Sequence, residues 1–392
     1  MIGQSFWNER LEATELAMAE TDPESLAAAS RLRAHFDADV AAFALTQASL
    51  RRKARTKFGE RAAAMWFTRD GLEQATRPAV SAWRAERFRA AGVRRVIDLG
   101  CGIGADALGF LDAGLEVVAV EADPLTAELA RANLPGAQVI CGDAVELASR
   151  LLADADEHTA IFVDPARRTG AGRSWRVSDF SPSWEFVLGL FESGRPVCAK
   201  LGPGLPRELI PEGVEACWVC DHGDVVEAGL WRFDSPSGSV SAAVLLPGEH
   251  RIEASPVASN MPVAEPGRFI LEPDGAVIRA RAIDQISPAT WLLGPGVAYL
   301  SSDEPISTVF ASCFEVLETL DFHQKTLKAW VRDNEVGVLE IKKRAVDIDP
   351  ARLRRTVKPK GPNQATWVIS PTVDGTRVLV CRHGISSGTR LV

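Results

Sequence analysis

From Arg95 to Pro203 short, continuously apolar runs alternate with stretches of helical apolar spacing: "RRVIDLG", "ADALGFLDAG", "EVVAVEAD", "PLTAELARANL", "AQVICGD", "AVELASRLLAD", "AIFVDPA", "SWEFVLGLFES" and "RPVCAKLGP". Apolar strands with helices between them predict a parallel sheet covered on both faces. Two later strands, "DVVEAGLWRFD" and "SAAVLLP", have no long helix between them and read as an antiparallel hairpin closing that sheet. Residues 1–92 read as helices and turns. "TDPESLAAASRLRAHF" opens on a capping signal, an acid or threonine before Pro23 and Glu24, and "DADVAAFALTQASLRRKARTKFG" is a helix ending near Gly59. A proline-dotted connection at 249–266 follows the sheet. Short strands and helices over 267–392 then make a small α+β domain, so the expected organisation is 1–92, 93–248, a linker, and 267–392.

Composition changes this picture little, with 46% hydrophobic and 24% charged residues over 392 positions, ordinary values for a soluble chain. No run reaches the 18 or so apolar residues of a membrane span, and the N-terminus is acidic where a signal peptide is basic, so a cytoplasmic location is expected and no membrane partner. Charge is more informative. The net value of -8 hides a basic segment: residues 321–392 hold 14 Lys and Arg against 7 Asp and Glu. A second cluster, Arg51, Arg52, Lys53, Arg55 and Lys57, puts five basic residues in seven at the end of a predicted helix, more than a helix terminus requires. Basic patches are the electrostatic footprint of polyanion binding. Cys217 and Cys220, with His222 nearby, have metal-ligand or redox spacing, but a zinc site needs a second pair and none is present, so no metal is expected.

The chemistry concentrates at strand ends, where open parallel sheets bind ligands. The first strand runs into "DLGCGIG" with Asp98, Gly100, Gly102 and Gly104; the second closes on Glu121, the third on Asp143 and Ala144, the fourth on Asp164 and Pro165. Glycines let a ligand approach the backbone, and an acid closing the second strand can accept hydrogen bonds from ribose hydroxyls. Gly100, Gly102 and Ala105 also satisfy a loose nicotinamide fingerprint with Glu121 at a workable distance. Asp98 inside the first strand, Asp143 placed to accept from an adenine amino group, and the Asp-Pro at the fourth strand together favour another nucleoside.

"VIDLGCGIGADAL", "VVAVEADPLTAELARANL", "VICGDA" and "IFVDPARR" resemble, in order, the motifs of class I S-adenosylmethionine-dependent methyltransferases over residues 93–248. The resemblance implies an α/β, Rossmann-like sheet, S-adenosyl-L-methionine as cofactor, Asp98 and the glycines facing its methionine part, Glu121 its ribose, and Asp143 with Ala144 its adenine. "FTRDGLEQATRPAVSAWRAERF", "DPARRTGAGR", "SDFSPSWEFVLGL" and "LEIKKRAVDIDPARLRRTVKPKG" resemble the bacterial methyltransferases with a THUMP-like C-terminal domain, and the layout is similar to that of trimethylguanosine synthase. THUMP domains occur in RNA-modifying enzymes, so the resemblance implies an RNA substrate, rRNA or tRNA.

In amino-methylating enzymes the fourth strand end reads Asp or Asn, Pro, Pro, aromatic, and its oxygen accepts from the exocyclic NH2. Asp164 is the expected acceptor, while Ala166 and Arg167 replace the second proline and the aromatic. Arg167, Arg168 and Arg173 are candidates for holding a base or a phosphate of the substrate. The other readings are methylation of a protein or small molecule, and a cofactor-binding module without turnover.

Overall fold

The computed structural model describes residues 4–167, 177–233 and 240–383. Ahead of the first strand run α1 (Gln4–Met18), α2 (Leu26–Arg33), α3 (Ala38–Phe58), α4 (Arg69–Gln74) and α5 (Pro78–Ala90). Alanines let α1 and α3 approach closely: Ala13 and Ala17 share a buried cluster with Ala41, Ala44 and Ala48. Gly59 ends α3 with φ +57°, as its position in the sequence suggests. The start of α2 differs from expectation. Asp22 turns its side chain on the Glu24 N–H in a local turn, so the capping falls to Ser25, whose Oγ accepts from Ala28 N.

The alternating segment folds into β1 (Arg95–Leu99), α6 (Ala105–Asp112), β2 (Glu116–Glu121), α7 (Pro124–Asn133), β3 (Gln138–Cys141), α8 (Ala144–Ala153), β4 (Thr159–Val163), a short ladder of β5 (Ala166–Arg167) with β6 (Phe180–Ser181), α9 (Trp184–Phe191) and β7 (Val197–Leu201). The strands lie in the order β7–β4–β1–β2–β3, and each neighbouring pair is parallel. The chain fills one side of β1 with β2 and β3, then returns to place β4 on the other. Strand order therefore reverses at the carboxyl ends of β1 and β4, where Leu99 is in register with Val163, and that is where open sheets bind ligands. Every residue of β4 is buried and β1 is buried from Val96 onward, as a sheet covered on both faces demands.

These elements, with residues 229–233, form one compact unit; residues 215–228 and 240–383 form a second. The second unit opens with β8 (Glu215–Asp221), which leads into β9 (Asp224–Arg232), a strand that unit holds as far as Ala228, through His222 and Gly223, both at positive φ, the two-residue turn whose twist suits a hairpin. The expected hairpin between "DVVEAGLWRFD" and "SAAVLLP" does not form: β10 (Ser241–Leu246) pairs in parallel with β8, and β11 (His250–Glu253) pairs antiparallel with β10. Then follow β12 (Phe269–Pro273), α10 (Gly275–Ala280), β13 (Trp291–Leu292), β14 (Leu300–Ser302), β15 (Ala311–Asp321), α11 (Gln324–Asp333), β16 (Val336–Lys343), α12 (Pro350–Val357), β17 (Asn363–Thr372) and β18 (Gly375–His383). Their seven-stranded sheet runs β13–β14–β12–β15–β18–β17–β16. Alternation along it sorts two cores: Trp367, Ile369, Val378 and Val380 pack with Leu327, Val331, Leu353 and Val357 of α11 and α12, whereas Val368, Leu379 and Cys381 join Ile270 and Phe314. Among the described residues no helix is long and apolar enough to cross a membrane, and no group of His, Cys, Asp and Glu could hold a metal ion. Cys217 and Cys220 are buried in β8, and Cys220 Sγ lies 3.2 Å from Asp274 Oδ2.

Candidate active site

A cavity of about 510 Å3 opens over the carboxyl ends of β1 to β4, a volume usual for small-molecule sites. Its wall is built by the strand-end turns. After β1 the chain reverses through Gly100 at φ +100° and Gly102 at φ +56°, conformations an L side chain rarely adopts. Gly104 closes the turn at φ +89°, and a Cβ there would come within 2.7 Å of the Leu134 side chain. Glu121, ending β2, pins this turn: its Oε2 accepts from Gly102 N at 2.9 Å and its Oε1 from Asp123 N at 2.8 Å. A carboxylate has about four lone-pair sites, so both oxygens retain acceptor capacity. Asp143 caps α8, its Oδ1 accepting from Val145 N at 2.7 Å and Glu146 N at 3.2 Å.

Gly100, Gly102, Glu121, Asp143, Ala144 and Asp164 all line the cavity, as do the apolar Ile103, Val120 and Val145. Such walls suit a ligand with hydroxyls, a cationic centre and a flat ring. Asp98, Gly104 and Pro165 do not reach the wall. Asp98 is completely buried behind the glycine turn, and neither carboxylate oxygen has a hydrogen-bond partner among the described residues. Burial first, then the charges of Asp106 and Asp164, push its carboxyl well above the usual range. Arg168 and Arg173 lie outside the described residues, as does the side chain of Arg167.

The cavity floor holds groups that local sequence patterns do not announce. Arg84 of α5, fully buried, donates from Nη1 to Asp106 Oδ1 at 2.7 Å and lies 4.8 Å over the Phe162 ring. Thr76 Oγ1 donates to Asp106 Oδ2 at 2.6 Å. Lys200, near the end of β7, donates from Nζ to Thr76 Oγ1 at 2.9 Å, reaches Asp106 Oδ2 at 3.3 Å, and pairs with Asp164 Oδ2. Burial alone would raise the Asp106 carboxyl, but Arg84 and Lys200 overcome it and hold Asp106 below the usual range. Asp164 ends slightly differently: burial raises its carboxyl, Lys200 lowers it, Asp106 raises it again, and the outcome lies above the ordinary value.

The segment "GLEQAT" forms the remaining wall through Gly71, Gln74, Ala75 and Thr76. It is held by one member of the expected basic cluster, Lys57. Lys57 Nζ donates to the Leu72, Glu73 and Ala75 carbonyls at 2.7, 3.3 and 3.0 Å, capping α4. Arg51 is buried, donating to Met65 O at 2.9 Å over the Trp66 ring, and Arg52 donates to Thr21 O at 2.8 Å and to Glu20 O. Lys53 and Arg55 face solvent beside Glu24 and Glu60. Helical spacing explains the division: residues 51, 54 and 58 fall on the buried stripe of α3.

Known proteins share this architecture and sequence. Residues 311–383 match the family model described as THUMP domain-like, and residues 12–54 one described as a domain of unknown function (DUF8688). The crystal structure of a candidate methyltransferase from Porphyromonas gingivalis W83 superposes with a TM-score of 0.80 over 96% of this chain and 99% of that one, at 21% identity; the likeness is one of fold. Uncharacterized S-adenosylmethionine-dependent methyltransferases of two Mycobacterium tuberculosis strains, CDC 1551 and H37Rv, are each 31% identical over 352 residues, spanning 86% of this chain and 95% of theirs. With a cavity at the strand-order reversal, a glycine turn pinned by Glu121 and relatives matched over nearly their full length, the chain belongs to the S-adenosylmethionine-dependent methyltransferases and takes S-adenosyl-L-methionine as its cofactor.

Proposed function

We propose that the protein methylates a nucleotide of RNA, rRNA or tRNA, at an exocyclic amino nitrogen. The observation that carries this reading is Asp164. Its carboxylate follows β4 directly, lines the cavity beside the glycine turn, and has one oxygen, Oδ1, without a partner among the described residues. An ionised carboxylate accepts hydrogen bonds and donates none, so it can fix an NH2 group with the nitrogen lone pair directed away from it. On this reading Glu121 holds the cofactor's ribose hydroxyls, the glycine turn passes its methionine part, and Asp143 with Ala144 borders its adenine. Bound there, S-adenosylmethionine supplies an activated methyl group on a sulfonium. Positioning then provides most of the acceleration, since reacting atoms need only be held in line at about 3 to 3.5 Å.

The C-terminal unit supports an RNA substrate. Lys325 and Lys328 of α11, Arg352 and Arg355 of α12, and Lys358 and Lys360 after it are all exposed, and none forms an ion pair among the described residues. Both helices turn their apolar sides to the same core, so these cations share the outer surface of one helical layer. Phe322, 39% exposed at the start of that layer, adds a face on which a base can stack.

The test is transfer of labelled methyl from S-adenosylmethionine into total cell extract from a strain lacking the protein, followed by nuclease or protease. Label released by nuclease, and absent with Asp164→Ala, is expected. Label that survives nuclease in a protein or low-mass fraction would replace RNA with another substrate class.

A further inference from the structure

We propose that Lys200 is a positioning residue for methyl transfer, holding the Asp164 carboxylate at the cavity floor as an anion, with Oδ2 committed to the ammonium and Oδ1 left for the acceptor group. The inference rests on the reading of Asp164 given above and adds the residue that makes it work.

The charge arrangement of the floor leads to it. Three carboxylates converge there, Asp98, Asp106 and Asp164, with two cations, Arg84 and Lys200. Asp98, buried with no partner for either oxygen among the described residues, is the one most strongly driven toward its neutral form, because an isolated buried anion is far costlier than a neutral acid. Asp106 and Asp164 remain as the anions beside Arg84 and Lys200, with Lys57 close enough to repel Lys200. Arg84, itself wholly buried, is matched to Asp106 at 2.7 Å, and Thr76 adds a hydrogen bond to the other oxygen. Lys200 approaches Asp106 only at 3.3 Å but makes a close pair with Asp164. The second cation therefore serves the second anion. Thr76, accepting from Nζ at 2.9 Å, aims the ammonium from a third direction.

The pairing decides which way a hydrogen bond can run. Asp164 is partly buried, its side chain 34% exposed to the cavity, beside another carboxylate, and both conditions favour its protonation. A protonated Asp164 would present an O–H to the acceptor and draw on its lone pair, opposing the reaction. Lys200 opposes that protonation through its contacts with Asp164, Asp106 and Thr76.

The experiment compares wild type, Lys200→Met and Lys200→Arg for methyl transfer to total RNA from cells lacking the protein, across pH 5.5 to 9, with S-adenosylmethionine affinity measured on the same samples. Removing the cation raises the Asp164 pKa, so Lys200→Met should lose activity at least tenfold near pH 6 and recover progressively as pH rises, its acid limb displaced upward. Lys200→Arg, which keeps the charge, should retain a limb close to wild type. Bound cofactor within about threefold of wild-type affinity certifies that each variant is folded. A Lys200→Met profile parallel to wild type at every pH, or a loss that Lys200→Arg does not relieve, would overturn the proposal. Should Asp164→Ala leave transfer intact, the reading of Asp164 fails; should Asp164→Ala abolish transfer while Lys200→Met keeps the wild-type profile, only the role of Lys200 fails.

Discussion

Arg84→Met tests the account of the cavity floor through stability. Arg84 has no exposed side-chain surface and bonds Asp106, which is 8% exposed, at 2.7 Å. Methionine fills similar space but leaves Asp106 with its charge and without its nearest cation. Breaking a buried pair from one side costs about 3 to 5 kcal/mol. Lys200 and Thr76 still bond Asp106 Oδ2, which places the expected loss near the lower end, about 3 kcal/mol. Urea unfolding followed by tryptophan fluorescence reads this directly, with Trp83 on the same helix as a reporter. The double variant Arg84→Met, Asp106→Asn should be less destabilised than Arg84→Met alone, because the uncompensated charge has gone with its partner. The acid response has a definite sign. Asp106 is held below the usual carboxylate range by Arg84 and Lys200 against the opposing effect of burial, so its contribution is present above the unfolded-state value and lost as pH falls through the folded value. In Arg84→Met that acid-side loss should shrink. A cost under about 1 kcal/mol, within the range of an exposed pair, or a double variant no more stable than Arg84→Met, would refute the reasoning.

Other consequences can be checked alongside. Asp98→Asn removes a carboxyl that burial holds well above the ordinary carboxylate value in the fold. Between the unfolded-state value and the raised folded-state value the native state alone keeps that proton, so wild-type stability falls there by about 1.4 kcal/mol per pH unit from this group, and the variant should lose that slope in pH-dependent urea titrations; an unchanged slope would show that burial does not raise Asp98. Lys57→Met withdraws three hydrogen bonds from the end of α4 and should loosen the Gly71–Thr76 wall, weakening S-adenosylmethionine binding several-fold by calorimetry; wild-type affinity would show the wall stands without its cap. Replacing Lys325, Lys328, Arg352 and Arg355 by Gln should lower RNA affinity and reduce the slope of log K against log salt by up to about 1 for each phosphate no longer neutralised. An unaltered slope would move the RNA surface elsewhere.

Much of the fold was legible because its signals are local. Each parallel strand carries its own apolar run and its own terminal acid or glycine, and Gly59 stops α3 through its own backbone. The strand-end set of Gly100, Gly102, Glu121, Asp143 and Asp164 meets on one cavity because sheet order, a consequence of alternating strands and helices, brings those ends together. Asp98 stands apart from that set: an acid inside the first strand reads as part of the ligand wall, and in the fold it is fully buried and does not line the cavity. The floor was unreadable for a different reason. Thr76, Arg84, Asp106 and Lys200 come from a loop, two helices and a strand, up to 124 positions apart, and nothing near any of them encodes its partner. Asp106 in particular looks like an ordinary acid in a helix's first turn. In the second unit the short turn "DHGD" pairs β8 with β9 and releases β10 to lie parallel beside β8, a tertiary choice that the two strands' apolar patterns do not distinguish.

The central claim, that Asp164 presents an RNA nucleotide for methylation, is met most directly by nucleoside mass spectrometry. Total RNA from a strain lacking the protein would be compared with RNA from the same strain carrying the wild-type gene or Asp164→Ala. The account predicts one base-methylated nucleoside that disappears with the deletion, returns with wild type and stays absent with Asp164→Ala. Identical nucleoside profiles in all three strains, or a modification fully restored by Asp164→Ala, would contradict it.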